Sequence, residues 1–376
     1  MRQLYLAATG QNRGKTTAAL GLLNLFVQEQ LRTGFMKPVG QRTVLEEGIP
    51  ADEDAVLMRA VFDLHERLED MSPVHIPRGF TKAYIAGDVV EDLPEKIRRA
   101  HATFTDNHEV LLIEGTGHAG VGAVVGLSNA VVARLLGAPA VIVSEGGVGR
   151  PIDEIVLNAS LFAANGVPVA GAIVNKVDLD AQPSLPGVLE RGLVRHGIPL
   201  LGVLPYRPIL SNPTLAMIAE GLGAETLHDG PDLDLVIDDV TIGAMEPGHM
   251  LERVGPRTLV IVPGDREDIL LALTAANLAN PSGDGRDAER LRAAAAAGIV
   301  LTSGYTPRRT VIEAIRAANL FCAVTGDDTY AVASEVHDLL VKTHPADTEK
   351  IALIKRLVAE FLDVERILEV ATPAAV

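Results

Sequence analysis

The first thirty residues constrain the fold of this chain more than any other segment. An apolar strand, Leu4–Ala8, runs into a loop with two glycines, and an apolar-periodic helix follows from Thr16 to about Gln30. In this order the loop amides converge on phosphates, the helix dipole adds attraction, Lys15 reaches the β- and γ-oxygens, and Thr16 can ligate Mg²⁺. Thr9 replaces the first glycine of the usual G-x-x-x-x-G-K-[ST] pattern, but the strand–loop–helix context favours a nucleotide-binding loop over an ordinary glycine-rich turn. The residues expected to contact the nucleotide here are Gly10, Asn12, Arg13, Gly14, Lys15 and Thr16.

The composition suits a parallel sheet covered by helices. Hydrophobic residues make up 48% of the chain and aromatic residues only 3%, as expected where buried strands are continuous aliphatic runs. A length of 376 residues predicts two or three domains.

Charge and cysteine content narrow the classes of partner. The net charge of −16 argues against binding to nucleic acid or to an anionic membrane. Cys322 is the only cysteine, which excludes an intrachain disulfide and a cysteine-rich metal site. Because the chain enters a strand at once and has no long apolar span, we expect a soluble cytoplasmic protein.

The sequence predicts an α/β protein: a P-loop domain with a doubly wound, mostly parallel sheet, then a smaller α/β domain and a C-terminal helix. The predicted strands of the first domain are Leu4–Ala8, Thr33–Pro38, Val110–Glu114, Ala140–Val143, Val169–Asn175 and Leu200–Leu204. A polar, turn-rich segment around His228-Asp229-Gly230-Pro231 marks the first boundary. The predicted domains are therefore 1–225, 226–346 and 347–376.

The second domain is a further βα series. Its predicted strands are Thr258–Val262, Gly298–Thr302 and Phe321–Val324, and a turn-rich insertion at 280–287 precedes an Ala-rich helix at 288–297. The C-terminal helix carries an apolar stripe. Such a stripe forms a dimer seam or covers its own domain, and we favour covering.

Charged residues follow the predicted strands of the first domain, at the edge where open α/β sheets bind ligands. Lys37 and Arg42 follow the second strand, and Lys37 is expected to contact the ligand. Asp54 lies in an acidic run that is either a helix start or the source of a Mg²⁺ carboxylate. Glu114 ends its strand where a P-loop protein carries its second metal-directed acid, so it could hold Mg²⁺ through water or orient a nucleophile.

Two further segments at this edge are ligand candidates. Arg150 opposes the dipole at its helix N-terminus, and either an anionic ligand or a structural salt bridge would resolve this. Asn175-Lys176-Val177-Asp178 has the Asn-Lys-x-Asp spacing with which many GTP-binding proteins read guanine, although the same string also forms plain turns. We expect Asn175 and Asp178 to contact the base.

These residues resemble two known families. Asn12 to Thr17, Lys37-Pro38-Val39, Asp54-Ala55, Glu114-Gly115 and Asn175 recur in the order found in dethiobiotin synthetase. They look still more like the N-terminal P-loop region of long bacterial phosphate acetyltransferases. The second half resembles the DRTGG domain that follows that region, through Asp265-Arg266 and Thr302-Ser303-Gly304 among others.

The resemblance implies residue roles. Lys15 and Thr17 would bind phosphate, while Thr16, Asp54 and Glu114 would surround Mg²⁺. Lys37 would contact the γ-phosphate and the group being activated. Asn175 and Asn212 would contact the base, which is adenine in dethiobiotin synthetase.

The departures from these families also carry expectations. The short loop with Arg13 and the segment Gly40-Gln41-Arg42 argue against biotin synthesis, and the end of the chain at Val376 argues against acetyl transfer. Two hypotheses follow. The first is ATP-dependent phosphoryl transfer or ligase-type activation of a carboxylate or carbamate, with Lys15, Lys37 and Glu114 as catalytic residues. The second is a regulatory NTPase in which the P-loop domain binds nucleotide and the DRTGG domain reports its state to a regulatory protein or a second subunit; such a protein could be specific for GTP. ATP is favoured over GTP by a small margin, and a homodimer is expected as in the relatives.

Overall fold

The computed structural model describes residues 1–279, 294–339 and 341–371. The predicted insertion at 280–287 lies outside the described residues, and so do residues 288–293 of the predicted helix at 288–297.

Each of the nine predicted strands corresponds to a described strand. In chain order the described strands are β1 Arg2–Ala8, β2 Thr33–Met36, β3 Val39–Gly40, β4 Thr43–Glu46, β5 Ile49–Asp52, β6 Val74–His75, β7 Val110–Glu114, β8 Ala140–Glu145, β9 Val169–Val177, β10 Leu200–Pro205, β11 Glu225–His228, β12 Asp239–Ile242, β13 Thr258–Pro263, β14 Gly298–Thr302 and β15 Phe321–Val324. Six of these described strands, β3 to β6, β11 and β12, were not predicted. The described α-helices are α1 Lys15–Gln28, α2 Glu53–Phe62, α3 Leu68–Met71, α4 Phe80–Ala86, α5 Leu93–Ala102, α6 Asn129–Leu136, α7 Gly149–Ala164, α8 Leu185–Val194, α9 Pro208–Ser211, α10 Leu215–Gly221, α11 Pro247–Leu251, α12 Glu267–Leu278, α13 Arg309–Ala317, α14 Thr329–Asp338, α15 Thr348–Phe361 and α16 Val364–Val370.

The chain forms two compact units, and the second is inserted into the first. The first unit comprises Met1–Tyr206 and Thr343–Val376, and the second comprises Arg207–Lys342. The sequence placed the first boundary near residue 226 and treated residues 347–376 as a separate segment. In the structure the first unit ends directly after β10, and the C-terminal residues return to it.

The first unit is built on a six-stranded sheet in the order β10-β9-β8-β1-β7-β2. All neighbouring strands in it are parallel, so their carboxyl ends lie along one edge. The central strands are buried along nearly their whole length, as the aliphatic runs predict. The predicted doubly wound α/β class is confirmed.

The C-terminal helices cover the helix that follows the P-loop. Gly21 in α1 lies against Val358 in α15, so close that a Cβ at Gly21 would collide with the valine side chain. Val358 is fully buried, and Leu362 pairs with Gly202 of β10 through an isolated bridge. The apolar stripe of the C-terminal segment therefore packs on its own unit, and the predicted single helix is divided at Leu362 and Asp363 into α15 and α16.

The second unit has its own sheet in the order β11-β15-β14-β13-β12. Four strands are parallel, and β11 joins the edge antiparallel to β15. Two apolar clusters fill this unit, one centred on Ile269, Leu273 and Leu301 and the other on Ile218, Phe321 and Val332. This is the smaller α/β domain that the sequence predicts. Among the described residues of the whole chain, no helix has the length and apolar character needed to cross a membrane.

Candidate functional site

The loop between β1 and α1 is shaped by one glycine and one asparagine. Gly14 has φ +90° and immediately precedes α1. A Cβ at Gly14 would collide with Asn175 Nδ2, and that amide nitrogen donates to the carbonyl of Arg13 at 3.2 Å. Asn175, at the end of β9, therefore holds the loop against the carboxyl edge of the sheet.

The start of α1 fits an anion. Within the described structure, the first turn of α1 has no side-chain cap and no acidic residue. Its N–H groups and the helix dipole are therefore directed at the loop without a capping side chain. Lys15 is 8% exposed at this position. Burial lowers the pKa of Lys15 to about 8, with the charge of Glu114 opposing the shift.

Four side chains meet beside Lys15 and form what we call the cation cluster: Thr16, Lys37, Asp54 and Glu114. Lys37 Nζ lies 2.6 Å from Asp54 Oδ2 and 2.9 Å from Glu114 Oε1. The hydroxyl oxygen of Thr16 lies within hydrogen-bond distance of the same two carboxylates, 3.1 Å from Asp54 Oδ1 and 3.2 Å from Glu114 Oε1, and its single proton is shared between them. Two strand ends and two helix starts thus bring together residues up to 98 positions apart.

Burial and charge shift the pKa values of this cluster in opposite directions. Burial raises the pKa of Glu114 to about 7; the charge of Asp54 adds to this and the two lysines oppose it. For Asp54, burial alone would raise the pKa, but the charge and hydrogen bond of Lys37 hold it below its usual value. For Lys37 the directions are reversed: burial alone would lower its pKa, but the carboxylates raise it well above the usual lysine value. Lys37 is therefore a permanent cation here.

The acidic run at the start of α2 forms the helix start that the sequence offered as one interpretation, and it also places Asp54 in the cation cluster. Asp52 is the N-cap of α2 and accepts from the backbone N–H of Asp54 at 3.1 Å. Burial raises the pKa of Asp52 to about 6. Asp54 lies two residues after this N-cap, in the first turn of α2, and contacts Lys37 and Thr16.

The cation cluster could hold Mg²⁺ that arrives with phosphates. Within the part of the chain that the structure describes, no group of three or more His, Cys, Asp or Glu side chains forms a metal cage. A hydroxyl with one or two carboxylates is instead what Mg²⁺ requires when phosphates and waters supply the other ligands. Glu114 Oε2 is buried and has no hydrogen-bond partner in the described structure, so a metal-bound water would satisfy it.

On the other side of the loop, the three named residues of the Asn-Lys-x-Asp motif, Asn175, Lys176 and Asp178, each contact a different part of the structure. Lys176 donates to Glu145 at 2.9 Å, and Arg13 is paired with the same carboxylate. Asp178 accepts from the backbone N–H of Ala181 at 3.0 Å, in a turn. Asn175 thus lies at the loop, while the structure uses Asp178 in a local turn.

The remaining predicted residues are placed as follows. Arg150 donates to Glu154 at 2.7 Å with a side chain that is 75% exposed, which is the salt-bridge alternative. Arg42 lies 3.5 Å from Glu53. Gly10, in the loop, and Thr17, in the first turn of α1, are both half-buried. Asn212 belongs to the second unit, where its amide donates to the carbonyl of Ile237 at 2.9 Å.

Sequence reasoning missed the residues that support the loops. Glu145 pairs with two cations, and Ser144, fully buried, lies 3.2 Å from the hydroxyl of Thr9. Asn129 accepts from the hydroxyl of Tyr5 at 2.8 Å and from the N–H of Thr116 at 3.1 Å. Ser144 and Glu145 end a predicted strand at the ligand-binding edge, which is the signal that could have found them.

The fold and this arrangement agree with the family comparison. The chain belongs to the family AAA_26, described as an AAA domain, which matches residues 2–214. Residues 217–339 match the DRTGG domain. The predicted pairing of a P-loop domain with a DRTGG domain is confirmed, and it supports nucleotide binding.

The curated relatives are phosphate acetyltransferases, as the resemblance implies. The protein of Nitratidesulfovibrio vulgaris is 26% identical over 377 residues, covering 96% of this chain and 50% of the relative. The protein of Pseudomonas putida is 27% identical over 383 residues, covering 96% of this chain and 51% of the relative. The chain thus spans about half the length of these relatives.

Among solved structures, the septum site-determining protein MinD complexed with Mg-ADP from Pyrococcus horikoshii matches at 15% identity with a TM-score of 0.36. The match covers 55% of this chain and 83% of that one. The order of the six parallel strands, rather than this distant likeness, defines the fold here.

Proposed function

We propose that the first unit binds Mg-ATP at the carboxyl edge of its sheet and transfers the γ-phosphoryl group to a carboxylate or carbamate. The convergence of Lys15, Thr16, Lys37, Asp54 and Glu114 carries this proposal. Buried charges are costly unless they are paired or serve a ligand. This edge keeps two cations and two carboxylates within a few ångströms of an uncapped helix start.

In this proposal each residue has a stated role. Gly14, the loop amides and the start of α1 hold the phosphates, with Thr17 as a further donor. Lys15 and Lys37 neutralise charge on the transferred group. Thr16, Asp54 and Glu114 would hold Mg²⁺, which would supply positive charge that stabilises the phosphates.

The proposed phosphoryl transfer forms one bond and breaks one bond. A carboxylate oxygen of the substrate attacks the γ-phosphorus, and the bond from that phosphorus to the β–γ bridging oxygen breaks. The nucleoside diphosphate leaves with the electron pair. The nitrogen of an amine substrate then attacks the acyl carbon, the bond from that carbon to the phosphate oxygen breaks, phosphate leaves, and the nitrogen releases a proton to solvent. Lys37 is the cation that faces the attacking carboxylate, since the same ammonium already binds two carboxylates in this structure.

Lys37→Ala tests the proposed transfer. We expect loss of nucleotide turnover with nucleotide binding retained, because Lys15 and the loop remain. Phosphate release and calorimetric binding are the two measurements, and Lys82→Ala, which changes an exposed lysine in α4, is the control. Turnover at the wild-type rate in Lys37→Ala would reject the catalytic role.

The path of the chain favours one alternative, a regulatory nucleotide-sensing NTPase. The N–H of Tyr206 donates to Val177 at 2.8 Å, inside the Asn175–Asp178 loop, and the inserted unit begins at Arg207. A nucleotide base near Val177 would therefore lie close to Tyr206, the last residue of the first unit before the inserted unit. Such a protein would form a homodimer or bind a regulatory protein. If Asp178 contacts the base, that base would be guanine.

Hydrodynamic measurement separates the two candidates. Sedimentation with and without Mg-nucleotide is expected to change if the chain is a sensor that assembles on nucleotide. An unchanged sedimentation coefficient, together with turnover of a carboxylate substrate, would favour the enzyme.

A further inference from the structure

Lys37 occupies the position between the two carboxylates that are proposed to face Mg²⁺. Its ammonium makes two short contacts, to Asp54 and Glu114, and a longer one of 3.4 Å to the carbonyl of Gly115. The side chain is 4% exposed, so water does not compete for these carboxylates. The ammonium is the resident cation of the cluster.

The oxygens that Lys37 uses are also the oxygens available to a metal. Glu114 Oε1 accepts from both Lys37 and Thr16, and Asp54 gives one oxygen to each of them. Of the four carboxylate oxygens of Asp54 and Glu114, Glu114 Oε2 is the one without a partner in the described structure. A metal at this position would therefore have to take over contacts that the ammonium now makes.

The local charge decides when such an exchange is favourable. Asp54 and Glu114 are paired with the ammonium of Lys37, and the ammonium of Lys15 lies beside them. A divalent cation alone would have to enter this buried cluster against two ammonium groups, which is costly. A triphosphate supplies the negative charge that receives both lysines.

We propose that Lys37 is a placeholder cation: it holds Asp54 and Glu114 in the nucleotide-free chain and leaves them only when the metal arrives together with nucleotide phosphates. The free chain consequently resists Mg²⁺ alone. The second half of this inference rests on the proposed nucleotide site, whereas resistance to the metal concerns the free chain and is tested without nucleotide.

Mn²⁺ binding to the nucleotide-free protein tests the placeholder. Electron paramagnetic resonance of free Mn²⁺ measures binding by wild type, Lys37→Met and Lys37→Arg. Methionine keeps the length of the side chain and removes its charge, whereas arginine keeps the charge. We expect Lys37→Met to bind one Mn²⁺ on the order of tenfold or more tighter than wild type, because two buried carboxylates have lost their cation. Lys37→Arg is expected to stay as weak as wild type.

Equal Mn²⁺ affinity of wild type and Lys37→Met would overturn the placeholder, and so would tight Mn²⁺ binding by wild type. If Lys37→Met folds only when Mn²⁺ is added, that dependence itself supports the proposal. These measurements contain no nucleotide, so they can fail while ATP binding succeeds, and the reverse.

A measurement on wild type covers the case in which Lys37→Met does not fold at all. In protein with isotope-labelled lysine, the Lys37 side-chain signals, assigned with Lys37→Arg, are followed by nuclear magnetic resonance. We expect them to stay unchanged with Mg²⁺ alone and to shift with Mg²⁺ and nucleotide. A shift with Mg²⁺ alone would contradict the proposal.

Discussion

The parallel strands of the first unit end in buried charges, whereas those of the second unit end in charges at the surface. Lys15, Lys37 and Glu114 are each at most 8% exposed at the first edge. At the second edge Arg266 pairs with Asp268 at 2.9 Å, and Arg308 with Glu267 at 2.8 Å, all on side chains with solvent contact.

The buried polar residues of the second edge are uncharged. Thr302 is fully buried, and its hydroxyl lies 2.8 Å from that of Thr329. Asp328, also at this edge, caps α14. The comparison teaches that similar βα units can end in a site prepared for a charged ligand or in loops satisfied by local caps and hydroxyls, and that burial of charge distinguishes them.

The largest expected effect is at Gly14. Gly14→Ala places a Cβ against Asn175 at φ +90°, which displaces the loop, so nucleotide affinity should fall about 100-fold, the equivalent of one or two charged hydrogen bonds. Gly79→Ala is the control, because Gly79 has φ +88° and open space around it. The control should lose about 1 kcal/mol of stability and no affinity. Calorimetric titration measures the nucleotide affinity. Equal affinity of Gly14→Ala and Gly79→Ala would contradict the role of Gly14 in shaping the nucleotide-binding loop.

The corresponding change in the second unit should affect stability alone. A Cβ at Gly264, which follows β13, would collide with the carbonyl of Tyr305. We expect Gly264→Ala to lower the free energy of unfolding by about 1–3 kcal/mol through overpacking. Gly326→Ala, at the same edge with open space, should be near neutral. Denaturant unfolding measures both, and loss of nucleotide affinity in Gly264→Ala would mean that the second edge also serves the nucleotide.

The pH dependence of Mg-nucleotide affinity should report the buried charges of the first edge. Glu114, with a pKa of about 7, must lose its proton to hold the metal, so affinity rises with pH up to that value. Lys15, with a pKa of about 8, must keep its proton to bind phosphate, so affinity falls above that value. The optimum should lie between the two.

Glu114→Gln separates these two limbs of the pH profile. It should flatten the acid limb and leave the alkaline limb. A flat profile in wild type between pH values well below 7 and well above 8 would contradict the assignment.

The smallest effect is expected at Arg266. Arg266→Ala removes an exposed pair and contacts to two carbonyls, so the loss of stability should be about 1 kcal/mol or less. Arg309→Ala, which removes the exposed pair with Glu313, is the matched control. Thermal unfolding compares the two, and a loss of several kcal/mol at Arg266 alone would show that the second edge also depends on a charge.

The sequence predicted the strands of the first sheet and three of the second, but not β3 to β6, β11 or β12. Aliphatic runs identify buried parallel strands, and the carboxyl-edge rule places Lys37 and Glu114 at one edge. Only the family resemblance grouped Asp54 with them. The sequence did not predict that Lys37 lies between the two acids, because side-chain distances depend on the tertiary structure. The pairing of Glu145 with Arg13 and Lys176 escaped for the same reason.

The division into units was harder to predict than the strands. Turn-rich composition near His228 placed the boundary some twenty residues after the end of β10. The apolar stripe of α15 shows that a helix is covered, but not which surface covers it. Only the contact of Val358 with Gly21 assigns it to the first unit.

Calorimetric titration of the purified chain with non-hydrolysable ATP and GTP analogues in the presence of Mg²⁺ tests the central claim most directly. The account predicts that wild type binds one nucleotide, with ATP preferred, and that Lys15→Ala loses this binding. Failure of wild type to bind either analogue, or equal binding by Lys15→Ala, would contradict a nucleotide site at the first sheet edge.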